Sequence, residues 1–155
     1  MKQVGFIYDD IFLSHETPER HPECKERLIA IIDTLKTSDI WDKLIHIKPR
    51  KAEFKDIEAV HTHEYIERIK KAEPGYIDSD TYLSGGTFEA ALYAAGGVIE
   101  AIDRCKKGEI ERAFCAVVLR DIMQSQKRRW GSAYSIMLRL ELGMLRKEDT
   151  EKYSS

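Results

Sequence analysis

The side chains able to do chemistry are few, and most lie in the first half of the chain. His15, His21, Cys24, His61 and His63 are the candidate metal ligands, and His61-Thr62-His63 would present two imidazoles close together at a helix start. No further Cys, His or Asp cluster is spaced to complete such a site, so plainer roles are expected. His21 and His61 should shape the starts of helices, and His63 should face water. Cys24, Cys105 and Cys115 are odd in number and lack CxxC spacing, which argues against a disulfide framework and against a zinc ribbon. Cys115 lies in an apolar run and reads as a small core residue, not a nucleophile. Lys127-Arg128-Arg129 is a short basic cluster of the kind that usually forms solvated surface.

Composition bounds what such residues can serve. With 155 residues, a net charge of −2, a pI near 6.2 and 43% hydrophobic residues, the chain suits about one globular domain or part of one. That balance calls for neither nucleic acid nor a membrane as partner. Apolar runs such as Leu28–Ile32 and Ala90–Ile99 are well short of the roughly 20 residues that span a bilayer. Met1–Tyr8 has no long apolar stretch after Lys2, so no secretory leader is expected and the default location is cytoplasmic. The oligomeric state leaves no mark on the sequence.

The elements that must position these residues alternate between strand and helix. Gln3–Tyr8 is a short apolar, β-branched run ending at Asp9-Asp10, as a buried strand does. The loop Asp9–His21 carries His15 and His21, and Pro22 suits the first turn of a helix with Leu28, Ile31, Ile32 and Leu35 on its core face. Ser38 is placed as the N-cap of a short helix to Leu44, before a strand at Ile45–Ile47. Glu53–Val60 is a further short helix, and Thr62 caps a helix over His63–Ala72 that Pro74-Gly75 stops. Tyr76–Gly86 reads as loop. Thr87 is placed as the cap of a long helix to about Lys107, packed through Ala90, Ala91, Ala94, Ala95, Val98 and Ile102 and closed by Gly108. Gly96-Gly97 inside it costs about 1 kcal/mol per glycine relative to alanine, so a close approach to a neighbouring strand is expected there. Arg112–Val117 is apolar on both faces, the pattern of a central parallel strand. The expected class is therefore α/β, helix-rich, with a parallel sheet in layers.

Beyond Val118 the character changes. Leu119–Ser155 holds eight Lys or Arg against five Asp or Glu, so the acidic balance belongs to the residues before it, and no histidine follows His63. Ser132–Leu145 is too densely apolar to assign to strand or helix, and Lys147–Ser155 reads as unstructured.

Five blocks before that change fall in a telling order: YDD (8–10), HPECKERL (21–28), VHTHEYIERIK (60–70), DTYLSGGTFEAALYAAGG (80–97) and RAFCAV (112–117). In that order and spacing they resemble the N-terminal part of the histone deacetylase superfamily, which includes acetoin utilization proteins and acetylpolyamine amidohydrolases. The resemblance covers about Gly5–Val117. It implies a partial arginase/deacetylase-like three-layer fold over residues 1–117 and an intact parent that removes acetyl groups from acetylated lysine or polyamine. In such an enzyme zinc polarises the amide carbonyl and activates water while a buried histidine acts as general base. By the same resemblance Asp80 and Thr81 match the loop that holds the substrate backbone, and His15 lies in the loop bordering the site mouth. A plainer reading of Asp80 is an Asx turn or helix cap.

The family pattern continues past the strand at Ala113–Val117 with Arg-Pro-Pro-Gly-His-His-Ala, and later with the zinc ligands and a catalytic tyrosine. This chain continues with Val118-Leu119-Arg120-Asp121-Ile122-Met123-Gln124 instead. Written with permitted codons, Val117–Gln124 is GTC GTC CTC CGG GAC ATC ATG CAG. Read from the last base of Val117, this becomes CGT CCT CCG GGA CAT CAT GCA, which is the family motif. In the same frame Arg129–Ala133 can give Met-Gly-Phe-Cys and Tyr134–Leu138 can give Phe-Asn-Asn-Val; the single codon of Trp130 forces the glycine. The expectation is a one-base frameshift near Val117, with residues 118–155 a non-family tail. On this reading the chain has no catalytic residues, binds no zinc and is inactive. The alternative is a noncatalytic α/β binding or scaffold protein that keeps the family fold and carries a new tail.

Overall fold

The computed structural model describes residues 3–21, 23–79 and 81–117. Strand β1, Val4–Ile7, forms where the first apolar run was expected. Its neighbours are β2, Leu44–Ile47, and β5, Arg112–Cys115, giving a three-stranded sheet in the order β2-β1-β5. Both pairings are parallel, with Phe6 opposite His46 on one side and Phe114 on the other. Parallel neighbours need long crossovers, and the helices supply them.

Helix α1, Lys25–Lys36, buries Leu28 and Ile32. Leu35 packs half-buried against the same cluster, which also contains Phe6 and Phe12. Ile31, expected on that face, is 39% exposed. Ser38 does not start a helix. Its hydroxyl donates back to the Leu35 carbonyl at 2.6 Å and so closes α1, and only a 3₁₀ turn, Trp41–Lys43, follows. The hydroxyl served an orphan carbonyl at a helix end instead of an orphan N–H at a helix start.

Helix α2, Phe54–Glu58, is held at its start by Asp56, which accepts from the Glu53 N–H at 3.0 Å. Helix α3, His63–Lys71, has Thr62 as N-cap, its side chain accepting from the Tyr65 N–H. The stretch read as loop contains a two-residue hairpin, β3 (Gly75–Tyr76) and β4 (Tyr82–Leu83), steadied by a Tyr76–Tyr82 edge contact at 5.1 Å. Strands of two residues are too short to leave a period in the sequence.

Helix α4, Thr87–Lys106, is the spine of the fold. Leu92, Ile99 and Ala101 are buried as well as the expected alanines, because the helix is covered on more than one side. A side chain on Gly97 would meet Ile7 of β1 and Pro49, and one on Gly96 would run into the Arg50 carbonyl. The close approach expected for the pair is real, and the Ala52 N–H donates to the Leu92 carbonyl across it at 3.0 Å. Gly108, at φ +74°, ends the helix, with its N–H on the Cys105 carbonyl and that of Glu109 on the Arg104 carbonyl.

Strand β5 departs from expectation. Arg112, Ala113 and Phe114 are exposed and only Cys115 is half-buried, so β5 is an edge strand among the described residues. Its apolar composition suits a central strand, but β1 is its sole neighbour there.

Candidate functional site

The best-built polar constellation lies where the loop after β1 meets the residues that open α4. The first part of that loop is a 3₁₀ turn, Asp10–Ser14, started by the Asp9 carboxylate accepting from the Ile11 N–H. It delivers His15 into the interior, 1% exposed. His15 Nδ1 lies 2.7 Å from Thr87 Oγ1, and Thr87 Oγ1 accepts from the Ser84 N–H, also at 2.7 Å. The Ser84 and Thr87 hydroxyls share a hydrogen bond at 2.9 Å, and Ser84 Oγ accepts from the Glu16 N–H at 3.0 Å. Gly86 allows this contact, since any side chain there would strike Ser14.

Thr87 is thus the first residue of α4 and not its cap. Its hydroxyl turns back to tie Ser84 and His15 together, while Gly86 takes the cap position. The unfilled position in the network is His15 Nε2, which is buried without a hydrogen-bond partner. Burial, with the nearby His21 adding to it, lowers the His15 pKa, so this histidine is held neutral.

Thr81 is 2% exposed at the start of β4. Its N–H donates to Asp78 Oδ1 at 2.8 Å and its carbonyl accepts from the Ile77 N–H at 3.0 Å. The carboxylate that accepts a backbone N–H in this turn is that of Asp78, three residues before Thr81; Asp80 itself lies outside the described residues. Thr81 and His15 bracket one short segment, Tyr82–Ser84, the first opening it and the second fastening its end through Thr87.

The two imidazoles of His61-Thr62-His63 are not brought together. His61 is 6% exposed, stacked on Tyr65 at 5.3 Å, and neither of its ring nitrogens has a partner. It lines a small apolar cavity with Ile57, Tyr65, Ile66, Ile69 and Phe88, and burial lowers its pKa. His63 is on the surface against Glu58 Oε1 at 2.8 Å, a contact that raises its pKa. His21, buried at the approach to α1, accepts from the Glu23 N–H at 3.1 Å. Burial pushes the Cys115 thiol up to about 11, which suits a packing residue and not a nucleophile.

Among the described residues no group of three or more His, Cys, Asp or Glu side chains could hold a metal ion. They therefore supply no ligand set for zinc. The expectations for residues 118–155 fall outside the described residues. No helix among the described residues is long and apolar enough to cross a membrane.

The structure places His15 and Thr81 at the two ends of Tyr82–Ser84; sequence reasoning did not single out Ser14, Ser84 and Gly86, which join them. The signal available was Ser84-Gly85-Gly86-Thr87, two hydroxyl residues around a glycine pair directly before a helix.

Comparison with known proteins gives this geometry its context. The histone deacetylase domain matches residues 21–120. A probable deacetylase of Archaeoglobus fulgidus is 35% identical over 118 residues, covering 74% of this chain and 33% of that protein. Histone deacetylase 5 of Arabidopsis thaliana is 31% identical over 128 residues, covering 75% of this chain and 19% of that protein. The acetoin utilization protein AcuC of Bacillus subtilis is 28% identical over 120 residues, covering 70% of this chain and 31% of that protein. A crystal structure of the HDA15 HD domain superposes with a TM-score of 0.70 at 25% identity, over 77% of this chain and 36% of that one. The chain spans about a third or less of the length of each of these relatives. The order β2-β1-β5 with helices around it is the α/β fold of that neighbour in part, and the chain belongs to the histone deacetylase family.

Proposed function

We propose that this chain is the amino-terminal part of a zinc-dependent amidohydrolase domain whose intact form hydrolyses acetyl-lysine or acetylpolyamine amides, and that the chain alone turns over no substrate. The observation that carries the proposal is the span of the match: three quarters of this chain against a third of the Archaeoglobus fulgidus protein. The sequence after Val117, for which permitted codons can encode the paired histidines of the family in another reading frame, agrees with it. In the intact parent Asp80 accepts substrate amide N–H groups at the site mouth. Thr81 and His15, both buried, serve by holding the segment beside it. Residues 118–155 we assign to an out-of-frame tail.

The test is zinc analysis of the purified chain together with a fluorogenic acetyl-lysine assay. Substoichiometric zinc and no turnover are expected. One zinc per chain, or hydrolysis above the blank, overturns the proposal. Sequencing the gene across the Val117 codon tests the frame: a downstream region with no family match in any frame removes that part of it.

A further inference from the structure

The network around His15 is built for a neutral imidazole and has no place for a second proton on it. Thr87 Oγ1 has two lone pairs and one proton, and the Ser84 N–H takes one lone pair. The other lone pair and the proton must serve His15 Nδ1 and Ser84 Oγ between them. Two wirings do so. In the first, Thr87 O–H donates to Nδ1, Ser84 O–H donates to Thr87, and Nε2 carries the imidazole proton. In the second, Nδ1–H donates to Thr87, Thr87 O–H donates to Ser84, and the Ser84 hydroxyl turns to the Ser14 carbonyl at 3.5 Å. A protonated ring excludes the first wiring, and in the second it places an N–H at Nε2, which is buried with no acceptor.

Among the described residues no group offsets that charge. Burial opposes it, and so does His21, on the approach to α1 that also buries Glu23. The start of α4 presents the neutral Thr87 hydroxyl, and the carboxylates of the surrounding elements are committed elsewhere. In the loop itself Asp9 accepts from the Ile11 N–H and Asp10 from the Tyr8 hydroxyl, while Glu16 pairs with Lys25. Asp78 of the hairpin accepts from the Thr81 N–H, and Glu89 of α4 pairs with Lys51.

We infer that His15, Thr87 and Ser84 form an acid-released latch, in which protonation of His15 parts the loop after β1 from Tyr82–Ser84. The tie between the two segments is short: the Glu16 N–H donates to Ser84 Oγ, and Ser84 is held in turn by Thr87. Gly85, with nothing within 4 Å of where a side chain would stand, lets the segment move without carrying α4. Thr81 keeps its own bonds to Asp78 and Ile77, so release is confined to the Ser84 end. The consequence for the parent domain rests on the proposed function: Asp80 precedes Thr81 in sequence, and acid loosens one end of the segment beside it.

The test is residue-resolved hydrogen exchange of the full chain at pH 7.5 and pH 5.0, each rate divided by that of an unfolded amide at the same pH. A latch that binds a proton only when open, with an ordinary histidine pKa of about 6.5, opens about thirtyfold more at the lower pH, so the Ser84 and Glu16 amides should lose about tenfold to thirtyfold in protection. They should also exchange ahead of the β1 amides at both pH values. His61→Phe removes the other partnerless buried imidazole and should leave that loss in place. His15→Asn keeps a hydrogen-bonding group toward Thr87 and cannot titrate, so it should abolish most of the loss. Thr87→Val takes away the junction and no titratable group; the two amides should then be poorly protected at both pH values. An acid response as large as the parent chain's in either of these last two variants overturns the inference. So do Ser84 and Glu16 amides that exchange no faster than those of β1, since the latch would then open only with the whole fold. Turnover by the chain alone defeats the proposed function whatever these amides do, so the two failures are distinguishable.

Discussion

At the scale of single residues, His61 is the side chain whose surroundings serve it worst. Both ring nitrogens are buried without partners, and each such atom costs on the order of 1–3 kcal/mol. The stack on Tyr65 offsets only about 0.5–1.5 kcal/mol. His61→Phe keeps a ring against Tyr65 and removes both polar atoms, so it should raise stability by about 1 kcal/mol in urea unfolding. A comparable loss would show that His61 has a polar partner after all. The sign of the pH dependence follows from the same burial. His61 and His15 both have lowered pKa values in the fold, so the unfolded chain binds protons first as pH falls through about 6.5. Stability should therefore drop between pH 7.5 and pH 5.5, and His61→Phe should flatten that drop. His63 works the other way, losing a small surface contribution as pH rises, and exposure keeps it minor. A profile that does not fall toward acid, or that His61→Phe leaves unchanged, would refute the assignment. The sequence set His63 apart as the ring that faces water, as it does, but gave no sign that His61 is buried without partners: the two stand two positions apart, and only the start of helix α3 decides which ring turns inward.

At the scale of elements, the contact of α4 with the segment after β2 sets two opposing effects against each other. Helix propensity alone favours alanine over glycine at position 96 by about 1 kcal/mol. The Arg50 carbonyl occupies the place of the new methyl, and backbone there cannot swing aside as a side chain would. Overpacking of this kind costs about 1–3 kcal/mol, so Gly96→Ala should be net destabilising by about 1–2 kcal/mol. Gly85→Ala, with nothing within 4 Å, should change stability far less. Equal midpoints for the two variants in chemical denaturation would show that α4 does not approach Arg50 as described. The glycine pair was the most informative local signal in the sequence, because a cost inside a long helix requires a packing reason. The hairpin of β3 and β4 left no such signal, and Ser38 gave a misleading one, since a serine hydroxyl serves either end of a helix. Strand β5 was misread for a different reason: composition reports the environment a strand is suited to, not whether neighbours are present to provide it.

At the scale of the whole molecule, two thirds or more of the length of the Archaeoglobus fulgidus relative has no counterpart in this chain, and among the described residues the three-stranded sheet ends in an open edge beside an exposed aromatic ring. Unpaired edges and uncovered apolar faces favour association, so the chain alone should be poorly soluble or form oligomers; a sharp, reversible melt of a monomer would contradict this. The frame reading turns this into a test of identity. Inserting one cytosine after the Val117 codon should let the strand run on from Val117 into Arg-Pro-Pro-Gly-His-His-Ala and yield a longer product. That product should be monomeric, carry one zinc per chain and hydrolyse an acetyl-lysine substrate, because the edge of β5 is then filled from its own polypeptide. Phe114→Asp in the longer chain should cost about 3–5 kcal/mol of stability, as a charge placed in a core does, whereas in the present chain it should cost little because Phe114 is half exposed. Similar costs in both chains would mean that the continuation leaves Phe114 uncovered and that the missing part of the domain sits elsewhere.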